Sequence, residues 1–476
     1  MDSNYELIIG LEVHVQSKTK SKMFCSCDAN YFNAAPNSHV CPVCFGLPGA
    51  LPVPNKRAIE LCIKTALALN CKINQNTKFD RKNYFYPDLP KGFQISQYDQ
   101  PIGYEGYIDI ETKEGKKRIG ITRIHQEEDT GKSIHSNGET LLDYNKSGVP
   151  LIEIVSEPDF RTKEEVTAYC KRLRQIVRYL SVSTADMEKG EMRFELNMSL
   201  RKRGESTLPK YKVEVKNIAS ISVLEKVIDY EFKRQSEILD NGELPQQETR
   251  GLVDMSGQTV SQRTKENEAD YRYFPEPDIP LIEISQDMIE QIRAEMVELP
   301  QAKKDRYVKE YNIDADTAEA IITDSATYVT FENMIAGLSP NYIVEIAKWY
   351  TGDYFSLVNN KERHSGFLDS MLVDIVKMVV DKKITRANAK EVLEISYTQG
   401  SKPEEVVEQK GFEIVSDTGA IAEIVEKVIA NNPKAVEDAQ KNPNAAMFLV
   451  GQAMRELKGQ ADAQTVKDMV LEKISK

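Results

Sequence analysis

The sequence has no run of eighteen apolar residues, so no bilayer-spanning helix is expected and no membrane partner. Its start, Met1-Asp2-Ser3-Asn4-Tyr5-Glu6, is acidic and lacks an apolar core behind lysines, so no secretory leader is expected. Histidine is scarce: His14, His39, His125, His135 and His364 are the five in 476 residues. So few imidazoles leave a hydrolase triad short of candidates, and neither G-x-S-x-G nor H-E-x-x-H occurs. No strand leads into G-x-G-x-x-G, which removes a Rossmann site. Gly131-Lys132-Ser133 looks like the end of a P-loop, but Gln126 stands where the first glycine is required. Any ATP must therefore be held by a fold without a Walker loop.

Positive charge is also lacking in the balance. Against 74 acidic residues stand 62 basic ones, a net charge of −12, which speaks against indiscriminate nucleic-acid binding. A local patch for a shaped RNA is still compatible with this charge. Lys171, Arg172, Arg174 and Arg178 share one expected helix and read first as its solvated face. At 41% hydrophobic and 29% charged residues, the composition is that of an ordinary soluble chain of about three domains.

Cysteine is sparse, yet four of the seven cysteines fall within twenty residues, as Cys25-x-Cys27 and Cys41-x-x-Cys44. The loop Asp28–Val40 between the pairs can fold back so that four thiolates converge on Zn²⁺. Such an all-sulfur site is closed and structural, with no bound water for hydrolysis. His39 stands beside the second pair, as a substitute ligand or hydrogen-bond partner. Cys62, Cys71 and Cys170 make the total odd, which points to a reducing compartment and, by default, the cytoplasm.

Strand patterns dominate up to about residue 285. In Leu11-Glu12-Val13-His14-Val15-Gln16 the polar residues share one face. Arg193, Glu195, Asn197 and Ser199 alternate with apolar residues in the same way, and Lys212-Val213-Glu214-Val215-Lys216 repeats the device. Leu151-Ile152-Glu153-Ile154-Val155 places one carboxylate inside an aliphatic run. Thr162-Lys163-Glu164-Glu165 is a capping box opening a helix with Val166, Tyr169, Cys170, Leu173, Ile176, Val177 and Leu180 on one side. The expectation is an α+β domain whose antiparallel sheet lays one apolar face on helices and leaves the other polar, either simply meeting water or forming a cleft for a hard cation and an anionic ligand. Helical patterning follows, with composition shifts near Leu299-Pro300 and Gly400-Ser401-Lys402-Pro403. The expected domains are 1–295, 296–403 and 404–476.

Several long segments carry a family resemblance. Ile9-Gly10-Leu11-Glu12-Val13-His14-Val15, Phe79-Asp80-Arg81-Lys82-Asn83-Tyr84-Phe85-Tyr86-Pro87-Asp88 and Glu127-Glu128-Asp129-Thr130-Gly131-Lys132 are three of them. Leu142-Asp143-Tyr144-Asn145-Lys146-Ser147-Gly148-Val149-Pro150-Leu151-Ile152-Glu153 and Asp270-Tyr271-Arg272-Tyr273-Phe274-Pro275-Glu276-Pro277-Asp278 are two more. Together they resemble the GatB family, the B subunit of the aspartyl/glutamyl-tRNA amidotransferase. Phe448-Leu449-Val450-Gly451-Gln452-Ala453-Met454 resembles its YqeY-like tail domain. Three departures stand out: Lys146 where arginine is usual, Glu195-Leu196-Asn197 for Asp-Ala-Asn, and a short segment after Arg201.

The resemblance implies an N-terminal cradle similar to the glutamine synthetase and guanido kinase fold, then a helical domain and a small tail domain. It implies a ligase, part of a heterotrimer with a glutaminase (amidase) A subunit, which releases ammonia, and a small C subunit. The present chain would phosphorylate the side-chain carboxylate of misacylated Glu-tRNA(Gln) or Asp-tRNA(Asn), which ammonia then amidates. ATP, Mg²⁺ and a structural Zn²⁺ on Cys25, Cys27, Cys41 and Cys44 are the implied cofactors. Catalytic and Mg²⁺-binding roles fall to Glu12, His14, Glu128 and Glu153, with Glu127 a nearby alternative. Lys82, Arg193, Glu195, Asn197, Lys216 and Arg272 are implied to contact ATP, substrate or a second cation. Tyr84, Phe85 and Tyr86 are stacking candidates for the terminal adenine, with core packing the preferred reading of at least two, and Lys434, Lys441, Arg455 and Lys458 are tail contacts for tRNA. The competing readings are the archaeal paralogue, a non-catalytic tRNA scaffold and an unrelated zinc enzyme. The paralogue needs an insertion for which 476 residues leave no room.

Overall fold

The computed structural model describes residues 4–474 apart from 137, 265–267, 415–417, 442–445, 458–459 and 462. Lys458, and the side chain of Lys441, lie outside the described residues. Two compact units appear, Met1–Leu299 and Pro300–Lys476.

The first unit is built on a nine-stranded sheet centred on β1 (Tyr5–Gln16). The other strands are β2 (Lys72–Ile73), β3 (Gly103–Thr112), β4 (Gly115–Glu128), β5 (Pro150–Ser156), β6 (Met192–Lys202), β7 (Val213–Ile218), β8 (Glu248–Leu252) and β9 (Thr259–Thr264). Their spatial order is β9-β8-β7-β6-β1-β5-β4-β3-β2. The helices are α1 (Lys56–Ala68), α2 (Lys163–Tyr179), α3 (Ile221–Asp240) and α4 (Gln286–Ala294). All strand pairs are antiparallel except β7 with β8, which corrects the purely antiparallel expectation at one place. A parallel pair needs a crossover, and α3 occupies the β7–β8 connection.

The alternation in β1 decides which face is which. Ile9, Leu11, Val13 and Val15 are all within 1% of full burial and join Ile152, Ile154, Phe194, Leu196 and Met198 in one core. Helices α1 and α2 pack beside β3, and α3 packs on β6. Each fully buried aliphatic or aromatic side chain contributes about 1.5–3 kcal/mol, so this face supplies most of the driving force. Lys163–Tyr179 forms behind the expected capping box: Thr162 Oγ1 accepts from Glu165 N at 3.2 Å, and Glu165 Oε2 accepts from Thr162 N at 3.3 Å. Its seven apolar residues at helical spacing are all buried.

A three-stranded sheet of Asp80–Asn83, Phe93–Ser96 and Phe274–Pro275 belongs to the same unit, and Phe93–Ser96 contacts β4. The second unit is helical from Pro300–Tyr311 to Ala463–Ile474. Within it, Ile421, Val425, Leu449, Val450, Val466 and Val470 gather into a separate apolar cluster.

Replacing Thr162 with alanine removes an N-cap acceptor while the buried helix face stays intact. The urea midpoint of the full chain should fall, corresponding to a loss of about 1 kcal/mol; an unchanged midpoint contradicts the capping assignment.

Candidate active site

The register of the sheet lines its chemistry up in rows. On the face away from the helices, Arg193, His14, Glu153 and His125 are successive cross-strand partners on β6, β1, β5 and β4. Glu195 pairs with Glu12 in the next row, and Glu127 is the partner of Leu151 in the row beyond His125. Side chains on directly opposed strand positions come within contact distance.

Two clusters result. His14 Nε2 lies 3.2 Å from Glu153 Oε2 and 3.5 Å from Glu127 Oε1, and the three groups offer ligand atoms within 4.8 Å of one another. His125 Nε2 stands 3.7 Å from Glu153 Oε2 and 3.8 Å from Glu127 Oε2. Ser96 Oγ donates to Glu127 Oε2 at 3.2 Å. Glu12, Glu195 and Glu214 form the second cluster. Asn197 Nδ2 donates to Glu12 Oε1 at 2.8 Å, and Lys216 Nζ donates to Glu195 Oε2 at 2.9 Å.

The electrostatics follow from crowding. Burial and then the negative charges of Glu153, Glu195 and Glu214 push the Glu12 carboxyl upward. Burial also opposes charge on Glu195, but Lys216 and His14 hold it at about 2. For His14, burial lowers the pKa, yet the Glu153 hydrogen bond and the field of Glu195, Glu153 and Glu127 carry it to about 9. Glu153 stays well below the usual range because His125, His14 and Lys82 outweigh its burial. Without a metal, the surplus negative charge is thus met by a proton on His14 and by Lys216.

Among the described residues, the buried Nδ1 atoms of His14 and His125 find no hydrogen-bond partner. The oxygen-rich donor set, with His14 Nε2 facing Glu127 and Glu153, suits a hard divalent cation held by carboxylates with imidazole support.

Other expected site residues fall elsewhere. Glu128 is not brought to either cluster, because strand alternation turns it to the opposite face from Glu127. There its carboxylate pairs with Lys91 and accepts from Ile95 N at 3.0 Å. Arg193 is engaged by Asp129, with NH1 at 3.0 Å from Oδ2 and NH2 at 3.1 Å from Oδ1. Lys146 Nζ reaches Asp129 Oδ1 at 2.9 Å, and Gln16 Nε2 reaches Oδ2 at 2.8 Å. Burial disfavours the Asp129 charge, but Arg193 and Lys146 hold its carboxyl far below the usual range. Arg193 is therefore a structural partner here, not a free phosphate contact.

Lys82 lies 4.9 Å from the centre of the Tyr271 ring and forms no ion pair among the described residues. Burial opposes its charge, yet Tyr273, Glu127 and Glu153 raise its pKa well above the ordinary lysine value. Arg272 is exposed, with a backbone φ of +46° and its carbonyl accepting from Asn83 Nδ2 at 2.9 Å. Tyr84 packs edge-on to Tyr271 at 6.1 Å, whereas Phe85 and Tyr86 are exposed, which corrects the expectation that at least two of the three pack in the core.

The four cysteines converge as the spacing suggested. Their sulfurs lie within 4.8 Å of one another, and all are free thiols. Cys41 and Cys44 Sγ are 3.9 Å apart. A tetrahedral shell of ~2.3 Å zinc–sulfur bonds has an edge of about 3.8 Å, so the donor set fits a structural Zn²⁺. The Cys44 thiol is lowered to about 4, first by the Cys25 hydrogen bond, with backbone of Cys41 and Lys22 adding to it. His39 is not part of this cluster; its backbone N donates to Asn145 Oδ1 at 2.7 Å.

Comparison with known proteins decides the lineage. A family model described as the GatB/GatE catalytic domain matches residues 7–290, and one described as the GatB domain matches 329–474. Curated relatives named as the B subunit of aspartyl/glutamyl-tRNA(Asn/Gln) amidotransferase include one from Roseiflexus sp. (strain RS-1), 43% identical, covering 99% of both chains. Those of Caldicellulosiruptor bescii and Brevibacillus brevis are 44% identical, again over 99% of both chains. The chain belongs to the GatB family of amidotransferase subunits.

Two of the departures seen in the sequence have local explanations in this GatB-family chain. Lys146 needs only a point charge, because Arg193 already supplies the fork that grips Asp129. The longer carboxylate of Glu195 reaches Lys216 on β7. Sequence reasoning left His125, Asp129 and Glu214 without a role. His125 and Glu127 share strand parity on β4, and continuing the alternation two residues along would have found the pair.

The folded pKa of His14, about 9, lies above its ordinary value of 6.5. Its contribution to the metal-free chain is therefore full below pH 6.5 and is lost as pH rises through about 9. Melting temperatures taken in chelator from pH 6 to 10 should fall across that window, and His14→Asn should flatten the fall.

Proposed function

We propose that this chain uses ATP to phosphorylate the side-chain carboxylate of glutamate or aspartate esterified to tRNA(Gln) or tRNA(Asn), and that ammonia then displaces the phosphate. The observation that carries this reading is the convergence of His14, Glu127 and Glu153 with Glu12, Glu195 and Glu214 on one sheet face. The names of its relatives supply the aspartyl/glutamyl-tRNA substrate and the amide transfer.

A carboxylate resists ammonia because its leaving group would be oxide or hydroxide. Attack of the carboxylate oxygen on the γ-phosphorus releases ADP and leaves an acyl phosphate. Ammonia then bonds to the acyl carbon, the carbon–oxygen bond to phosphate breaks, and the amide forms. Phosphoryl transfer asks the protein mainly for alignment and charge neutralisation. A Mg²⁺ ion bound by His14, Glu127 and Glu153 would supply positive charge to phosphate oxygens, with Glu12 and Glu195 available to a second ion. Glu127 takes the ligand role first expected of Glu128. Lys82, with its raised pKa and no carboxylate partner among the described residues, stays cationic and meets phosphate or the substrate carboxylate. Arg272 is exposed and free to meet the acceptor end.

This nucleotide-on-a-sheet arrangement agrees with a cradle of the glutamine synthetase and guanido kinase type. Segments 296–403 and 404–476 would then grip the tRNA body, with exposed Lys434 and Arg455 among the contacts. A glutaminase A subunit would supply the ammonia, a small C subunit would complete the heterotrimer, and the assembly would work on cytoplasmic tRNA. Among the described residues no helix is long and apolar enough to cross a membrane.

The test is reconstitution of the heterotrimer with its A and C subunits, ATP, glutamine and misacylated tRNA. Glu153→Ala should bind tRNA as the wild type does, yet lose amidation by on the order of a hundredfold or more and fail to yield a trappable acyl phosphate. Normal amidation by this variant contradicts the site; lost tRNA binding with normal turnover favours a scaffold.

A further inference from the structure

Lys22 is the only lysine among the described residues that is completely shut off from solvent. Its ammonium has two acceptors, Cys44 Sγ at 3.5 Å and the Tyr144 carbonyl oxygen at 3.3 Å. No carboxylate pairs with it among the described residues. A buried ammonium with no opposite charge in contact is strongly disfavoured. Nothing in the phosphorylation site supplies that charge, but the four-sulfur cluster does. Four thiolates around one Zn²⁺ carry a net charge of about −2, and Cys44, the buried one of the four, is the sulfur that meets the lysine.

The lysine is held in place on both sides. Its backbone N donates to Cys27 O at 3.0 Å, and Met23 N donates to Gly148 O at 2.7 Å. Ser147 Oγ donates to Cys44 O at 3.3 Å. Gly148 has φ +85°, and a Cβ there would meet Cys44 Cβ at 3.4 Å and Lys22 Cδ at 3.5 Å. The turn from Tyr144 to Val149 thus closes directly over lysine and sulfur, and the same turn carries Lys146 to Asp129.

We propose that Lys22 is the fixed counter-cation of the sulfur centre: it donates an N–H···S hydrogen bond to Cys44, offsets part of the thiolate charge, and ties the centre to the Tyr144–Val149 turn. This rests on the zinc reading of the cysteines. Lys22 touches a ligand sulfur and no reacting atom, so its role is positioning. Without this donor the sulfur loses its tie to the turn and its neighbouring positive charge, and the metal should leave sooner.

Purified full-length chain is assayed for zinc content, then for the rate of zinc transfer to a chromophoric chelator. Lys22→Met should release zinc about 10–100-fold faster than wild type. In Co²⁺-substituted chain, its sulfur-to-cobalt charge-transfer band should move to lower energy, because an unbonded thiolate gives up charge more readily. A merely structural lysine would not move that band. If Lys22→Met does not fold, Lys22→Gln keeps a donor for the Tyr144 carbonyl without the charge and should show the same two changes. Equal release rates and an unmoved band overturn the Lys22 assignment. A wild type that holds no zinc and takes up no cobalt overturns the zinc reading instead.

Discussion

Like charge packed onto one face of a sheet is the constraint on which the rest of this molecule depends. Glu12, Glu127, Glu153, Glu195 and Glu214 project from four neighbouring strands, β1, β4, β5 and β6, and from β7 at the margin. Their oxygens stand in two groups, each within 4.8 Å. At such separations, in a medium poorer than water, mutual repulsion is too large to leave uncompensated. The protein meets it with a protonated His14, with Lys216 and with an upward shift at Glu12, and a bound cation would replace the His14 proton. The apolar opposite face, buried against helices, is what allows the sheet to hold this arrangement.

Around that face lies a set of supports whose charges are already satisfied. Asp129 is locked by Arg193, Lys146 and Gln16, and Glu128 by Lys91 and a backbone amide. These pairs fix the ends of β1, β4 and β6 relative to one another. Breaking one partner of a buried pair leaves the other charge stranded, which costs several kcal/mol. The paired groups hold geometry, while Lys82 and Arg272 form no ion pair among the described residues.

Much of this was legible in the sequence, for identifiable reasons. The period-two pattern at Leu11–Gln16 and Arg193–Leu200 fixed which side chains share the polar face, and the cysteine spacing fixed the sulfur cluster. The helix behind Thr162 was legible because its cap and its apolar positions agreed. What could not be read was pairing across strands. Adjacent Glu127 and Glu128 look interchangeable in a sequence, and only the register of β4 against β5 separates them. Arg193 looked free because its partner Asp129 lies 64 residues away. Lys22 gave no sign of its burial, since a lone lysine ordinarily reads as surface, and the parallel β7–β8 pair required knowing that α3 crosses over.

The central claim is that His14, Glu127 and Glu153 form one cation site for nucleotide phosphates. It is tested most directly by an anomalous-scattering map of the full chain crystallised with Mn²⁺ and a non-hydrolysable ATP analogue. A manganese peak bounded by His14 Nε2 and carboxylate oxygens of Glu127 and Glu153, in contact with the analogue's phosphates, is expected. A peak bound instead through Glu128, or nucleotide phosphates seated away from these three side chains, would contradict it.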